Sequence, residues 1–542
     1  MKLWLPRLCE ALTVRGMKDE ILAAGTKFQI GGCPGQRTQF HLFVVRSLIA
    51  LRLEAGEGCI ITALDIKKFF DKQNIIDAMH SLSKAKVNKK LYRVWYRLTE
   101  NTTIQVMTGA GLTARGLVGP VTGQGGGGAA LASALNLDMG VNNYFKGSKD
   151  EECYGRIRLQ PLIFVDDLLR GARDMNCLRA GCSKLDYVLR EKQLEAHPTK
   201  SGYLVFGSEQ FKAKVENDVK GAPVMLGKVV LKEKCSEAYL GDILCSQGLR
   251  ASTEASIRER TAKVKGSIYE LRALVEDFRM QSVGGMTAGI DLYESCIVSS
   301  LLSNSGTWTE IGETEIELLD EKQNTFCRAL LQLPKSTPKP SLRASLGLLG
   351  MRWRVMESKV LLVLAIRRQE EGGLAREVLE EQLAMGFPGP GKEVSSICEG
   401  CAGLPDACRM EVTKEEVKEA IRLDHLMKLK GEMSGKKKLE ELSRCDLRRA
   451  QDYVGWRVEE CRMAFRLQNK MFDCRVNMPT RYKRDLACRA CRGDPASGME
   501  DYDKSQDPAR GLEDCDESQD HLEVLEVQFF MRVQNKRKKR VV

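Results

Sequence analysis

No apolar run in the sequence approaches the length of a membrane span. The longest late run, Val360 to Ile366, is far short of the roughly twenty residues a bilayer requires. Arg7 interrupts the first apolar stretch almost at once, so no secretory leader is expected. No tandem repeat is visible, which sets aside solenoid architectures. Acidic residues do not dominate: 84 Lys and Arg face 73 Asp and Glu, a net charge of +11 that is compatible with a polyanionic partner. Histidine is scarce, at five, but cysteine is not. Nineteen cysteines, an odd number scattered without secretory features, read as reduced thiols in the nucleus or cytoplasm. With 43% hydrophobic and 29% charged residues, the 542-residue chain is globular rather than disordered, with room for roughly two to four domains.

What is present is a strand-rich first part followed by a helical one. A turn-rich stretch, Phe28 to Arg37, leads into an amphipathic helix from Thr38 to about Glu54. Cys59-Ile-Ile-Thr-Ala-Leu-Asp65 reads as a buried strand by its β-branched content, and Asp71 is the expected N-cap of the helix through Ile75, Ile76 and Met79. A helix follows at Lys90 to Leu98, then an alternating Thr103 to Thr108 strand, the glycine run Gly123 to Gly128, and a strong helix former from Ala129. Pro161-Leu-Ile-Phe-Val-Asp166-Asp167-Leu-Leu predicts a tight hairpin, and Met175 to Leu194 a helix. Another hairpin carries Tyr239-Leu240-Gly241. From Ala251 to Leu333 the pattern is almost purely helical, ending at three prolines between Leu333 and Pro340. Gly386 to Gly391 reads as a linker, and the last 150 or so residues hold charged helices, an acidic segment and a basic tail, Lys536 to Arg540. The pattern describes an α+β core with an all-α extension.

A solvated charged loop would not be flanked by apolar runs as Asp166 and Asp167 are. Two adjacent carboxylates at a buried hairpin tip repel, and cations relieve the repulsion. Taken singly, an Asp pair is most often a surface turn. Asp65 closes another apolar strand in the same way, and carboxylates from two neighbouring strands can hold a pair of Mg²⁺ ions for phosphoryl transfer. The glycine run satisfies a G-x-G-x-x-G pattern, but no apolar strand precedes it, so a dinucleotide site is not expected.

Read in order, these segments resemble the palm motifs of reverse transcriptases, most closely those of non-LTR (LINE-type) retrotransposons. Leu64-Asp65-Ile-Lys-Lys-Phe-Phe70-Asp71 is similar to the first catalytic motif, Gly123-Gln124-Gly125 to the motif that contacts incoming nucleotide and template, and Phe164-Val-Asp166-Asp167 to the aromatic-x-Asp-Asp signature. Thr199-Lys200 before Tyr203-Leu-Val-Phe-Gly207 resembles the motif whose lysine approaches pyrophosphate, and Tyr239-Leu240-Gly241 the primer-grip hairpin. Arg37 stands where the family has a fingers-side arginine. The five motifs span residues 28 to 241, with a looser likeness to about Ile366.

The resemblance implies an RNA-directed DNA polymerase of right-hand form extending a DNA primer on an RNA template with deoxynucleoside triphosphates. It implies two Mg²⁺ ions on Asp65 and Asp166, with Asp167 behind them or as an alternate ligand. Phe70 is implied to exclude a 2′-hydroxyl, Lys200 to protonate or counter-charge pyrophosphate, and Arg37, Gln124 and Gly125 to bind substrate. The expected parts are partial fingers at 1–58, palm with fingers insertions at 59–248, helical thumb at 249–335, a helical segment at 341–385, a helical extension at 392–480, and a knuckle-like segment with basic tail at 481–542. In that last part Cys488, Cys491 and His521 resemble a Cys-Cys-His-Cys zinc knuckle. Leu525 stands at the fourth position, which leaves Cys515 as a poor substitute and a weak Zn²⁺ site. Cys398, Cys401 and Cys408 are a lesser zinc candidate. The family's preceding fingers segment and endonuclease are not recognised, so a fragment is expected, with any nick supplied elsewhere. The second reading is an inactive nucleic-acid-binding relic. An RNA-templated RNA polymerase is disfavoured by Phe70.

Overall fold

The computed structural model describes residues 4–434, apart from 101–102, 105–106, 110, 114–115, 118–126, 150, 276–284, 332, 334–336 and 402. It divides into two units. One comprises Met1–Ser256, Asn304–Ile311 and Met356–Val417, and the other residues from 257 to 303, 312 to 355 and 418 onward. The fold is mixed: predominantly helical, with one six-stranded sheet and four two-stranded ones among the described residues.

In the first unit, α1 (Trp4–Ala24) and α2 (Thr38–Glu54) precede the central strand β1 (Cys59–Asp65). Then come α3 (Phe69–Lys72), α4 (Ile75–Lys84) and α5 (Lys89–Thr99), and two small hairpins, β2 (Thr103–Ile104) with β5 (Gly116–Leu117) and β3 (Met107–Thr108) with β4 (Gly111–Leu112). Helix α6 (Gly127–Phe145) leads to the hairpin β6 (Glu152–Tyr154) and β7 (Ile157–Leu159), then β8 (Leu162–Phe164) and β9 (Asp167–Ala172). Next are α7 (Met175–Glu191), β10 (Gly202–Phe206), α8 (Glu209–Gly221), β11 (Val224–Leu226), β12 (Val229–Glu233), and the hairpin β13 (Ser236–Tyr239) and β14 (Asp242–Cys245).

The six-stranded sheet runs β11-β12-β10-β1-β9-β8, antiparallel except where β10 meets β12. Its alternation assigns the faces. Ile60, Leu64, Leu168 and Ala172 join the apolar core with Leu137, Val141 and Phe145 of α6 and Leu178, Leu185 and Val188 of α7. Ile61, Ala63, Leu169 and Gly171 alternate with them and point to the other face, where Leu48 of α2 lies so close to Gly171 that a Cβ there would sit 2.8 Å from it. Because both faces are covered, β1 is buried along its length until Asp65.

Helix α2 has the expected bounds, yet it is buried on all sides from Phe40 to Ala50 rather than amphipathic, Arg46 included. Asp71 does not cap the following helix. The chain makes a single helical turn over α3 first, and Asn74 caps α4 by accepting a hydrogen bond from the Ile76 N–H at 2.8 Å. The stretch Gly386–Gly391 is a corner between two packed helices, Leu374–Met385 and Pro390–Gly400, rather than a linker. The Gln382 amide clamps it, donating to the Pro388 carbonyl at 2.6 Å and accepting from the Gly391 N–H at 2.9 Å.

The described part of the second unit is helical, including Glu313–Leu331 and Lys339–Leu346. Its interior holds Tyr293 stacked on Phe326 with ring centroids 3.9 Å apart, and Trp353, whose indole N–H donates to Asp424 at 2.8 Å. Among the described residues no helix is long and apolar enough to cross a membrane, and every cysteine is free.

Candidate active site

Strand register brings the aspartates together. Asp65, the last residue of β1, lies opposite Asp167, the first of β9, and Phe164 pairs with Asp167 across the β8–β9 hairpin. Val165 and Asp166 are therefore the two-residue turn. Val165 has φ +61°, a left-handed conformation that a β-branched residue adopts at a cost of about 1–3 kcal/mol, so its surroundings must impose it. They do. The Ile163 N–H donates to the Phe28 carbonyl at 2.8 Å and the Ile30 N–H to the Ile163 carbonyl at 3.2 Å, so the segment before α2 lies along the hairpin. The buried Gln29 side chain bonds both backbone groups of Gly31, at 2.8 and 2.9 Å. A Cβ on Gly31 would stand 2.5 Å from the Val165 nitrogen, so only glycine fits there.

A strap across residues 195–201 fixes the other carboxylate. The Asp65 carbonyl accepts from the His197 N–H at 2.7 Å, and the Asp65 N–H donates to Ser201 Oγ at 3.3 Å. The strap carries Lys200, whose exposed Nζ reaches Asp65 Oδ2 at 3.4 Å. Burial pushes the Asp166 carboxyl above its ordinary range, and Asp65 adds to this against the opposing pull of its own N–H and of Lys200. Asp167 is pushed up to about 6, first by burial and then by Asp166 and Asp65, with Lys200 opposing. The site is thus short of positive charge, which a lone, largely solvated lysine does not supply.

Phe70 lies on α3 and Tyr239 at the β13–β14 turn. In α3 Phe69 is buried in the core, while Phe70 is half-buried with its ring 5.3 Å from that of Phe69 in an edge-on arrangement. Tyr239 and Asp242 close the β13–β14 hairpin around Leu240 (φ +49°) and Gly241 (φ +78°), the pair of positive angles of a type I′ turn. Tyr239 is buried with its hydroxyl 3.3 Å from His41 Nδ1, and Asp167 helps to hold that phenol well above its usual range after burial itself. The two hairpins are electrostatic neighbours.

Arg37 has a different setting. It is exposed at the start of α2 and opens onto a cavity of about 550 Å³ lined by Lys27, Arg368, Gln369 and Lys414 among others, and none of the three aspartates lines it. Gln124 and Gly125 lie outside the described residues, as do Cys488, Cys491, Cys515 and His521. Cys398, Cys401 and Cys408 are buried, and among the described residues no three His, Cys, Asp or Glu side chains form a ready metal cage. That is compatible with Mg²⁺ at the aspartates, because Mg²⁺ keeps its waters and takes one or two carboxylates together with substrate phosphates.

The sequence alone did not suggest the buried pair beneath the β13–β14 hairpin. Arg46 of α2 donates to Asp242 Oδ2 at 2.9 Å, and both side chains are wholly buried. Arg46 also donates to Thr253 Oγ1 at 3.1 Å, and the Trp308 indole N–H to Asp242 Oδ1 at 3.3 Å. An arginine inside the apolar run Phe43-Val-Val-Arg46-Ser-Leu-Ile was the available signal.

No protein-family profile matches the sequence. No curated protein matches it either. Solved structures similar to this chain include apo telomerase from Candida tropicalis, at 11% identity and TM-score 0.37, covering 76% of this chain and 61% of that one. Telomerase from Candida albicans in complex with a TWJ fragment of telomeric RNA gives 12% and 0.32, covering 77% and 56%. The corresponding Candida tropicalis complex gives 11% and 0.33, covering 72% and 53%. The chain spans little more than half the length of these telomerase chains. Likeness at that level carries no functional argument, which rests on the site.

Proposed function

We propose that the chain is a reverse-transcriptase-like polymerase of the non-LTR retrotransposon kind, extending a DNA primer on an RNA template. The observation that carries this reading is the Asp65–Asp167 register with Asp166 at the adjoining turn and Lys200 beside them. Asp65 and Asp166 are the residues that would hold Mg²⁺, with Asp167 behind them. Bound Mg²⁺ supplies charge neutralisation for in-line phosphoryl transfer. Lys200 gives up its ion pair with Asp65 when substrate arrives and then stands as counter-charge to the departing pyrophosphate. The β13–β14 hairpin, with Tyr239, Leu240 and Gly241, positions the primer end. Gln124 and Gly125 take the nucleotide-contact role. Arg37, opening onto its own cavity, is a weaker candidate for triphosphate contact.

Phe70 is assigned the sugar-excluding role, with Phe69 committed to the core. Replacing Phe70 with Ala is expected to raise ribonucleotide incorporation relative to deoxynucleotide by tenfold or more (about 1.4 kcal/mol or above), measured as single-nucleotide extension under matched conditions. An unchanged ratio removes Phe70 from the site. The wider test is primer extension by the full chain on an RNA template in Mg²⁺, where absence of product on every primed template refutes the enzymatic reading.

A further inference from the structure

Helix α5 carries a charge pattern that the catalytic reading does not use. Between Asp77 and Glu100 the sequence has no acidic residue and six cations: Lys84, Lys86, Lys89, Lys90, Arg93 and Arg97. All six are exposed. Lys90, Arg93 and Arg97 follow i, i+3, i+7 spacing, so with Lys89 they form one stripe along the helix. The opposite face is fixed by burial of Tyr92 and Trp95, and Leu91 packs so near Gly16 of α1 that a Cβ there would be 3.0 Å away. The stripe therefore cannot roll inward. Arg97 pairs with Glu100 at 2.8 Å, while among the described residues Lys84, Lys86, Lys89, Lys90 and Arg93 have no ion-pair partner.

This arrangement works against the helix that carries it. The first turn of α5 has no acidic residue, and Lys89 and Lys90 stand at the positive end of the helix dipole. Cations three and four residues apart also repel. An external polyanion relieves both effects. From Lys90 to Arg97 the stripe is about 10 Å long, enough for roughly two or three phosphates of one strand. A duplex would present two backbones and require a second row. The neighbouring α1 offers no such row, since Arg15, Lys18, Asp19 and Glu20 are mixed in sign.

We propose that the outer face of α5 is a docking track for a single strand of RNA outside the catalytic centre, with the phosphodiester backbone lying along Lys89, Lys90, Arg93 and Arg97. The choice of RNA rests on the polymerase reading, while the track itself rests on the stripe. The test titrates a labelled, unstructured RNA of about 20 nucleotides with the full chain, beside a blunt RNA duplex of equal length, between about 50 and 200 mM salt. In the triple variant Lys90→Gln, Arg93→Gln, Arg97→Gln the slope of log affinity against log salt becomes shallower by about 2 for the single strand, at ~0.7 per phosphate contact. The ratio of wild-type to variant affinity then falls about twentyfold across that range, and the duplex slope is unchanged. A charge-keeping variant, Lys90→Arg, Arg93→Lys, Arg97→Lys, retains the wild-type slope. An unchanged single-strand slope in the glutamine variant, or an equal change on both RNAs, overturns the proposal. Binding is read independently of extension. A chain without polymerase activity that shows the slope change loses the proposed function and keeps the track, and Asp166→Asn binds with the wild-type slope.

Discussion

Asp166→Asn abolishes primer extension, lowering it by at least roughly a thousandfold, while the protein becomes no less stable to heat and more stable above pH 6. The two effects have one cause. Asp166 sits at a half-buried turn beside Asp65 and Asp167, where burial and Asp65 disfavour its negative charge more than its own N–H and Lys200 favour it. Removing that charge removes a ligand and, in the free protein, also removes repulsion. The pH dependence follows from Asp167, whose carboxyl is pushed up to about 6 in the folded chain. A raised carboxyl favours the fold when protonated. Its contribution is fully present below the unfolded value near 4 and is lost as pH rises through about 6. The gain in melting temperature of Asp166→Asn is therefore larger at pH 8 than at pH 5, as differential scanning fluorimetry can measure. A variant that retains extension removes Asp166 from the chemistry, and one that melts lower at pH 8 assigns it a structural role.

Asp242→Ala destabilises the first unit by about 3–5 kcal/mol, because it leaves the Arg46 guanidinium buried and unpaired. The loss exceeds that of a surface ion pair, typically under about 1 kcal/mol, since neither side chain reaches solvent. It also removes the acceptor of the Trp308 indole at the foot of the β13–β14 hairpin. The double variant Arg46→Met, Asp242→Leu recovers most of the stability, because the uncompensated charge is gone. Urea unfolding of the three proteins measures this. A single variant as stable as wild type would mean that water reaches the pair.

Much of the site was legible from local pattern. The β-branched run before Asp65 specified a buried strand ending at a carboxylate, and apolar residues on both sides of Asp166-Asp167 specified a hairpin. Tyr239-Leu240-Gly241 carried the glycine that its turn requires. What could not be read depends on distant packing. Arg46 and Asp242 meet across 196 positions of sequence, and no local period links them. The Gln29–Gly31 brace forms because the segment before α2 returns along β8. Local reading also chose Asp71 as a cap where the chain first turns once through α3, and took glycines and prolines at Gly386–Gly391 for a linker although Gln382 clamps that corner.

The central claim is that these carboxylates take divalent cations when substrate is present. Mn²⁺ binding measured by electron paramagnetic resonance, with primer, RNA template and a non-hydrolysable deoxynucleoside triphosphate present, tests it most directly. The account predicts saturable binding by the wild-type chain that is lost in the double variant Asp65→Asn, Asp166→Asn. Equal binding by the two proteins would contradict it.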